Sequence, residues 1–231
     1  MIKRTLLLMA VAIVLWLCSD NTTNPSNVTV VVPKTGSIFV YEEFETDSTT
    51  GDPIPSTADT ITYKVTQSGV SFQGRSNVAV FTDLSDSTDG PQIAYESNGD
   101  VSLFMQLSQT GPGIWLTMPI SSKTESTVTV MDTSYTIGVI TIRSTSKIKS
   151  EYIGTSTVMV KGQSVNVIQG RQSTISTYTV GTNASESIMT ADFYVAPSLG
   201  IWAKGTNSPI TIPGVGKVSG GISTLIDFEL K

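Results

Sequence analysis

Histidine is absent from this chain of 231 residues, and cysteine occurs once, at Cys18. Without an imidazole the chain cannot build a Ser-His-Asp or Cys-His catalytic arrangement, or a zinc site with histidine ligands. Because no second thiol exists, Cys18 has no disulfide or metal-binding partner of its own kind. We therefore expect no catalytic residues, no metal site and no cofactor, and predict that the protein is not an enzyme.

Charge is also scarce, since Asp, Glu, Lys and Arg together make up 14% of the residues. Removal of residues 1–17, which hold Lys3 and Arg4, leaves 12 basic against 19 acidic residues, a formal net charge of −7. An acidic domain without a basic stripe is a poor binder of nucleic acid. The composition therefore excludes nucleic acid as a partner.

The longest apolar run is at the N-terminus. Lys3 and Arg4 precede the unbroken apolar run 6–17, which turns polar at Ser19 and Asp20. A basic start, an apolar core of about 7–15 residues and a polar exit are typical of a secretory signal peptide. A membrane-spanning helix needs about 20 apolar residues, so the run is too short to span.

The exit of this run, Leu15-Trp16-Leu17-Cys18, resembles a bacterial lipoprotein signal, although that family has Gly, Ala or Ser where this chain has Leu17. The resemblance implies that Cys18 is lipidated and becomes the first mature residue. The alternative is a signal peptide cleaved slightly downstream. We predict a signal peptide over 1–17, the lipidated cysteine and a flexible tether over 18–32, and an all-β domain over 33–231. The predicted location is the bacterial envelope, with an acyl anchor in the outer membrane or at the cell surface.

Helical periodicity is missing beyond the leader, whereas Thr, Val, Ile and Tyr are enriched, which favours strands. Roughly a dozen candidate strands at regular spacing predict a single strongly curved antiparallel sheet, a roll or a partly open barrel. A flat sheet of this size would be unusual, because twist makes large sheets curl or split. A two-sheet β-sandwich is the alternative.

Turn signals set the predicted strand boundaries. We predict a hairpin over 59–84 that turns at Ser68 and Gly69, with Gly74 as a bulge, and a second hairpin turn at Asn98-Gly99. Three long strands are predicted over 135–145, 150–161 and 164–181.

The last predicted strand covers 221–230 and alternates apolar and polar residues. One predicted face carries Ile222, Thr224, Ile226, Phe228 and Leu230. Asp227 and Glu229 point the other way.

The stretch 190–205, TADFYVAPSLGIWAKG, predicts a hairpin with its corner at Pro197-Ser198. Its part 194–200 resembles the aromatic-x-Ala-Pro-x-(Val/Leu)-Gly hairpin of uncharacterised β-rich bacterial envelope proteins. That resemblance implies an exported β-rich domain without an assigned catalytic role, and it transfers no functional residues.

Four aromatic residues are candidates to line a ligand groove, with core packing as the alternative: Trp115, Phe193, Tyr194 and Trp202.

Carboxylates in pairs are candidates for glycoside hydrolysis, which needs two acids about 5–10 Å apart, and a solvated face is the alternative. These carboxylates are Glu42, Glu43, Glu45, Asp227 and Glu229. The loop acids Asp83, Asp86 and Asp89 are candidate calcium ligands, but their spacing departs from the EF-hand pattern and favours a solvated loop.

We therefore expect a membrane-tethered envelope lipoprotein that acts as a non-enzymatic binding or scaffolding module. Its partners would be the membrane, through the acyl anchor on Cys18, and an apolar small molecule or envelope component on the concave face. The alternatives are a hydrolase of polysaccharide or cell wall that uses acidic residues, and a structural or adhesive surface protein.

Overall fold

The computed structural model describes residues 28–231 apart from 107–112 and 213–215, so Cys18 and the predicted signal peptide lie outside it. Most of the described residues lie in strands, and one 3-10 turn covers Pro55–Thr57. The strands are β1 Ile38–Glu45, β2 Asp59–Phe72, β3 Arg75–Asp83, β4 Asp89–Tyr95, β5 Val101–Gln106, β6 Gly113–Met118, β7 Ser126–Ile137, β8 Ile140–Val160, β9 Gln163–Val180, β10 Asn183–Ala196, β11 Ile201–Asn207, β12 Ile210–Ile212, β13 Gly216–Val218 and β14 Gly221–Glu229. Within these residues, no helix is long and apolar enough to cross a membrane.

Twelve of the strands form one antiparallel sheet in the order β6-β5-β4-β3-β2-β1-β14-β11-β10-β9-β8-β7, and β12 and β13 form a separate small hairpin. The sheet curls until its two edge strands, β6 and β7, approach each other without pairing. At this seam the Ser126 hydroxyl donates to the carbonyl of Thr117 over 3.5 Å. The prediction of a single strongly curved, partly open barrel is confirmed, and the sandwich alternative is excluded.

The inner face of the curled sheet is packed with side chains. Phe39, Tyr41, Phe81 and Leu225 are fully buried there, and the rings of Phe39 and Phe81 lie 6.1 Å apart. The Tyr41 hydroxyl donates to the carbonyl of Trp202 over 2.7 Å. Burial above all raises the pKa of the Tyr41 phenol well above its ordinary value. The interior is therefore a filled core in this region.

The hairpin between β10 and β11 turns at 197–200, as predicted. Residues 28–32 cross this corner, where the Val31 N–H donates to the Pro197 carbonyl over 2.8 Å. Gly200 has φ +71°, and a Cβ placed on it would lie 1.9 Å from the Val31 carbonyl oxygen. The Tyr95 hydroxyl donates to the Gly200 carbonyl over 2.6 Å from the opposite wall. The corner thus needs a glycine at this position.

The predicted turn between β2 and β3 is wrong. The chain turns at Gln73 and Gly74, which have φ values of 44° and 76°. Gly69, also at positive φ, lies inside β2, where the register with β3 shifts between Gln67 and Val70. Gly69 therefore lies at a bulge and Gly74 in the turn, the reverse of the prediction. Both positions have the left-handed backbone that glycine adopts readily, so the sequence alone does not distinguish them.

The predicted division of β7 and β8 is also wrong, because the turn lies at Gly138-Val139 and β8 runs unbroken through 146–149. The polar sequence there alternates, with Ser146 and Ile148 buried on one face and Lys147 exposed on the other. A strand needs only this two-residue period, so polar residues did not mark a loop. The turn at Asn98-Gly99 is confirmed, and a turn at Lys161-Gly162 separates the last two of the three predicted long strands.

The alternation predicted for the last strand is wrong, because it is interrupted at the centre of the strand. Leu225 is fully buried opposite Tyr41, whereas Ile226 is 41% exposed. The register of β1 with β14 shifts between Val40 and Tyr41, so one residue of β14 is extra at this point. A one-residue bulge exchanges the faces of the residues on its two sides.

Candidate functional site

One cross-strand row on the inner face lies just beyond the filled core. Each member is paired with the next across the sheet: Asp59, Glu43, Ser223, Gly205, Phe193, Gly170 and Tyr152, on β2, β1, β14, β11, β10, β9 and β8. Directly opposite residues of antiparallel strands point to the same face. The row therefore places carboxylates at one end, an aromatic ring near the middle and a second ring at the far end, with small residues between them.

The small residues open a cleft of about 450 Å³ at this end of the barrel. Its lining residues are Glu43, Phe44, Glu45, Thr57, Asp59, Phe193, Trp202, Gly205, Thr206, Asn207, Gly220, Gly221, Ile222 and Ser223. Glycine and serine leave room above the backbone, so the larger side chains of β1 and β10 become the walls. The cleft combines apolar rings with carboxylates.

Two of the four predicted groove aromatics, Phe193 and Trp202, line this cleft together. Trp202 also packs against the core, with its ring 6.0 Å from that of Tyr41. Tyr194 alternates with Phe193 along β10 and lies under the Lys204 ammonium, which is 5.7 Å from its ring centroid. That contact places Tyr194 outside the cleft.

Trp115 lies elsewhere, in an aromatic cluster with Phe72 and Phe104. The centroids of Phe104 and Trp115 are 5.2 Å apart, and the Trp115 indole N–H donates to the Gln73 carbonyl over 3.0 Å. This cluster holds the β2–β3 turn against β5 and β6. Trp115 therefore packs as a structural residue, apart from the cleft.

Three carboxylates line the cleft, and two of them, Glu43 and Asp59, are directly opposite across β1 and β2. Among the described residues, neither Glu43 nor Glu45 forms a side-chain ion pair. Burial, followed by the negative charge of Glu43, raises the pKa of Tyr63 to about 12. Like charges directly opposite each other repel and destabilise a sheet, so the cleft carries an uncompensated negative potential.

The other predicted carboxylates have different surroundings. Asp227 forms an ion pair with Lys161 at 2.8 Å, and this pair joins the β8–β9 turn to β14. Glu229 forms an ion pair with Lys231. Hydrogen bonds from these lysines lower the pKa of both carboxyls. Glu42 is paired with Thr224 and Thr60 on the outer face, away from the cleft.

The loop acids cap their own turn. The Ser85 N–H donates to Asp83 over 2.7 Å, and the Thr88 N–H donates to Asp86 over 3.0 Å. No group of three or more carboxylates that could hold a metal ion occurs in the described part of the chain.

Sequence reasoning missed Asp59, Ser223 and Gly205 as members of the site. Ser223 and Gly205 reach Glu43 and Phe193 because β14, late in the chain, pairs with both β1 and β11, whereas Asp59 faces Glu43 across the neighbouring strands β1 and β2. No local pattern signals a pairing between strands about 180 residues apart. An alternating match of candidate strands on both sides of β1 could have suggested Asp59, since β2 follows β1 directly.

Comparisons with known proteins give only distant structural similarity. No family model and no curated protein matches the chain. A crystal structure of a proposed lipoprotein from Parabacteroides distasonis is 12% identical, with a TM-score of 0.44, over 88% of this chain and 100% of that one. The hypothetical lipoprotein YmcC from Escherichia coli K12 is 11% identical, with a TM-score of 0.36, over 85% and 89% of the two chains.

A proposed exported protein with a YmcC-like fold from Bacteroides fragilis is 11% identical, with a TM-score of 0.42, over 87% of this chain and 99% of that one. All three TM-scores lie below 0.5. A likeness at this level carries no information about the function of this chain.

Proposed function

We propose that this protein is a lipid-anchored component of the bacterial envelope whose β-domain binds a small molecule in the cleft without catalysing a reaction. One observation carries the proposal: the cleft brings Phe193 and Trp202 beside three carboxylates that have no cationic neighbour in its lining. The proposed ligand is a small molecule with an apolar or aromatic body and a positively charged amine.

The charge of the cleft favours a cationic ligand. Glu43 and Asp59 face each other across two strands, and a bound ammonium group would relieve their repulsion. A concave site lined by one sign of charge also concentrates ions of the opposite sign. A purely apolar ligand would gain nothing from these carboxylates and would dehydrate them at a cost.

The rings supply the apolar part of the interaction. Phe193 and Trp202 are only partly buried, so each leaves ring surface open to the cleft. A cation over an aromatic face gains about 0.5–2 kcal/mol, with tryptophan the best partner. The expected apolar ligand inside the concave face is replaced in this proposal by a ligand at the cleft, because Phe39, Tyr41 and Leu225 fill the interior below it.

The test uses three probes of one shape: benzylammonium, benzyl alcohol and benzoate. Calorimetric titration of the purified exported chain should rank them in that order, and Glu43→Gln should lower benzylammonium affinity about tenfold, the loss of one charge-assisted contact of about 1.4 kcal/mol. Glu42→Gln, one residue away on the outer face, is the matched control and should leave affinity unchanged. Equal binding of all three probes, or no binding, would overturn the proposed ligand class.

The anchor has its own experiment. Growth with a radiolabelled fatty acid should label the native chain and leave Cys18→Ala unlabelled, with the variant released from the membrane fraction. Two or more acyl chains bind a membrane stably because each buried methylene contributes about 0.8 kcal/mol. Equal labelling of the two chains would refute lipidation at Cys18.

A polysaccharide hydrolase is the second candidate, because Glu43 and Asp59 lie in one cleft as a pair of acids. Glycosidases place their two carboxyl groups about 5–10 Å apart, and the general acid is held in an apolar pocket. Here Glu45 and Asp59 are exposed, which favours binding over catalysis. Release of new reducing ends from peptidoglycan or another envelope glycan, lost in Glu43→Gln and kept in Glu42→Gln, would establish the hydrolase instead.

A further inference from the structure

Beyond the cleft, β7 to β10 continue as a four-stranded arm, which we define as residues 128–148 and 174–189. Its inner face continues the inner face of the barrel, because β9 pairs with β10 without a register shift from Val195 to Asn183. The inner-face residues are Val128, Met131, Thr133, Ile142, Ser144, Ser146, Ile148, Thr174, Ser176, Tyr178, Val180, Asn183, Ser185, Ser187 and Met189.

None of these inner-face residues is charged, whereas the outer face carries the arm's ions. Asp132, Arg143, Lys147 and Glu186 all point outward by register. Arg143 donates two hydrogen bonds to Asp132, of 3.0 and 2.8 Å. The two faces of one sheet therefore differ sharply in charge, although both lie on strands that extend beyond the packed core.

The inner face of the arm has a shape suited to close packing. Small serines lie at its centre, where the hydroxyls of Ser146 and Ser176 are 3.2 Å apart. Larger side chains stand around them and remain accessible: Met131 and Met189 are each 38% exposed, Tyr178 is 45% exposed and Val180 is 43% exposed. A shallow centre with raised apolar margins can receive the margins of an identical surface.

We propose that the inner face of the arm is a self-association surface, on which a second copy of this chain packs its own arm about a two-fold axis. Near such an axis every charged residue would meet its own copy, so a face without charge avoids that repulsion. This matters in a mature chain of net charge −7, for which most surfaces of two copies repel each other.

The available area is sufficient for a dimer. Four strands about 4.8 Å apart, with about 33 residues in all at about 3.3 Å each, present about 520 Å². Two such faces bury about 1,050 Å², just above the roughly 1,000 Å² that a specific protein interface should exceed. The second copy would also cover the apolar side chains that a monomer leaves in water.

Cross-linking of the full-length chain in its own membrane tests the contact. Ser176→Cys adds a thiol at the centre of the inner face, and Thr177→Cys adds one to the outer face of the same strand. Under mild oxidation Ser176→Cys should give a disulfide-linked dimer, whereas Thr177→Cys and the chain with Cys18 alone should give none. Equal cross-linking from both faces, or linkage to another protein in place of a second copy, would overturn the proposal.

A second measurement does not depend on thiol chemistry. Sedimentation of the purified exported chain should show a concentration-dependent dimer, and Tyr178→Arg should weaken it at least tenfold by placing like charges across the axis. Thr179→Arg, on the outer face of the same strand, should leave the dimer unchanged. Because Tyr178 is exposed and Thr179 is partly exposed, both variants should fold. A monomer at all concentrations up to about 0.1 mM, some hundredfold above a micromolar Kd, would refute the dimer.

Discussion

Strands β8, β9 and β10 pass through two regions that are built differently. Outside the arm these strands form part of the packed barrel, and this part is called the barrel end. There they carry Val160, Val167 and Val195, all buried in the core. In the arm the same strands carry many serines and threonines, and larger apolar side chains such as Tyr178, Val180 and Met189 remain 38–45% exposed. The barrel end therefore gains stability from apolar burial, which we expect to dominate the free energy of unfolding. The arm depends on backbone pairing and cross-strand contacts, each of which contributes about 0.2–1 kcal/mol.

The largest expected effect comes from Gly200 at the barrel end. Gly200→Ala would force a methyl group against the Val31 carbonyl, 1.9 Å from the new Cβ, at a φ of +71°. We expect a loss of about 2–5 kcal/mol in the free energy of unfolding, from left-handed backbone strain and overpacking together. Denaturant unfolding with a fluorescence readout would measure it.

Gly162→Ala is the matched control. Gly162 has a φ of +73°, and no atom lies within 4 Å of the point that a Cβ would occupy, so only backbone strain of about 1–2 kcal/mol remains. Equal losses in the two variants would mean that residues 28–32 do not pack on the corner. The contrast therefore isolates the contribution of that contact.

The next effect tests which residue of β14 belongs to the core. Leu225→Ala should cost about 2–5 kcal/mol, because a fully buried leucine is replaced and a cavity remains. Ile226→Ala should change stability by less than about 1 kcal/mol, since that side chain is 41% exposed. The opposite ranking would show that the strand keeps the simple alternation predicted from its sequence.

This pair also shows where sequence reasoning stops. Two-residue alternation and turn residues indicated an all-β chain with a strongly curved sheet, and both are properties of local sequence. The bulge beside Leu225 is not, because it depends on how β14 meets β1. Likewise, Phe193 and Trp202 were recognisable as candidate groove residues, but only the pairing of distant strands brings them to Glu43.

The wrongly predicted break within β8, in the arm, also results from contacts between strands that the local sequence does not reveal. The polar character of Ser146 and Lys147 predicts a break between two strands. In the structure these residues continue β8, since their alternation matches the pleat and their neighbours on β7 and β9 supply the pairing. A polar composition predicts a loop reliably only where no adjacent strand can form hydrogen bonds with the backbone N–H and C=O groups.

A smaller effect is expected from the tyrosine hydroxyls. Tyr95→Phe removes the donor to the Gly200 carbonyl and leaves that buried acceptor unpaired, so a loss of about 1–3 kcal/mol is expected. Tyr178→Phe, in the arm, should change the free energy of unfolding by less than about 0.5 kcal/mol, because its side chain is 45% exposed. Comparable losses in urea unfolding would indicate that the arm is packed as tightly as the barrel end.

The smallest effect concerns Asp227, whose pair with Lys161 joins the turn of the β8–β9 hairpin to β14. The Lys161 hydrogen bond, with that of the Phe228 N–H, lowers the pKa of Asp227 in the folded protein. Because a lowered pKa means that the folded state binds this proton less readily, the pair stabilises the fold above the ordinary aspartate pKa of about 3.9. The contribution is lost as the pH falls through the lowered folded value.

Asp227→Asn should therefore reduce the midpoint of urea unfolding slightly at pH 6, and the difference should disappear as the pH falls below the lowered folded pKa, where the native carboxyl is also neutral. The exposed position and salt screening keep the difference small. Asp132→Asn breaks the corresponding pair on the arm, where Arg143 lowers the pKa of Asp132 in the same sense. If only the Asp227 variant changes the pH dependence of unfolding, the barrel end controls global unfolding and the arm opens separately, as the contrast between the two regions requires.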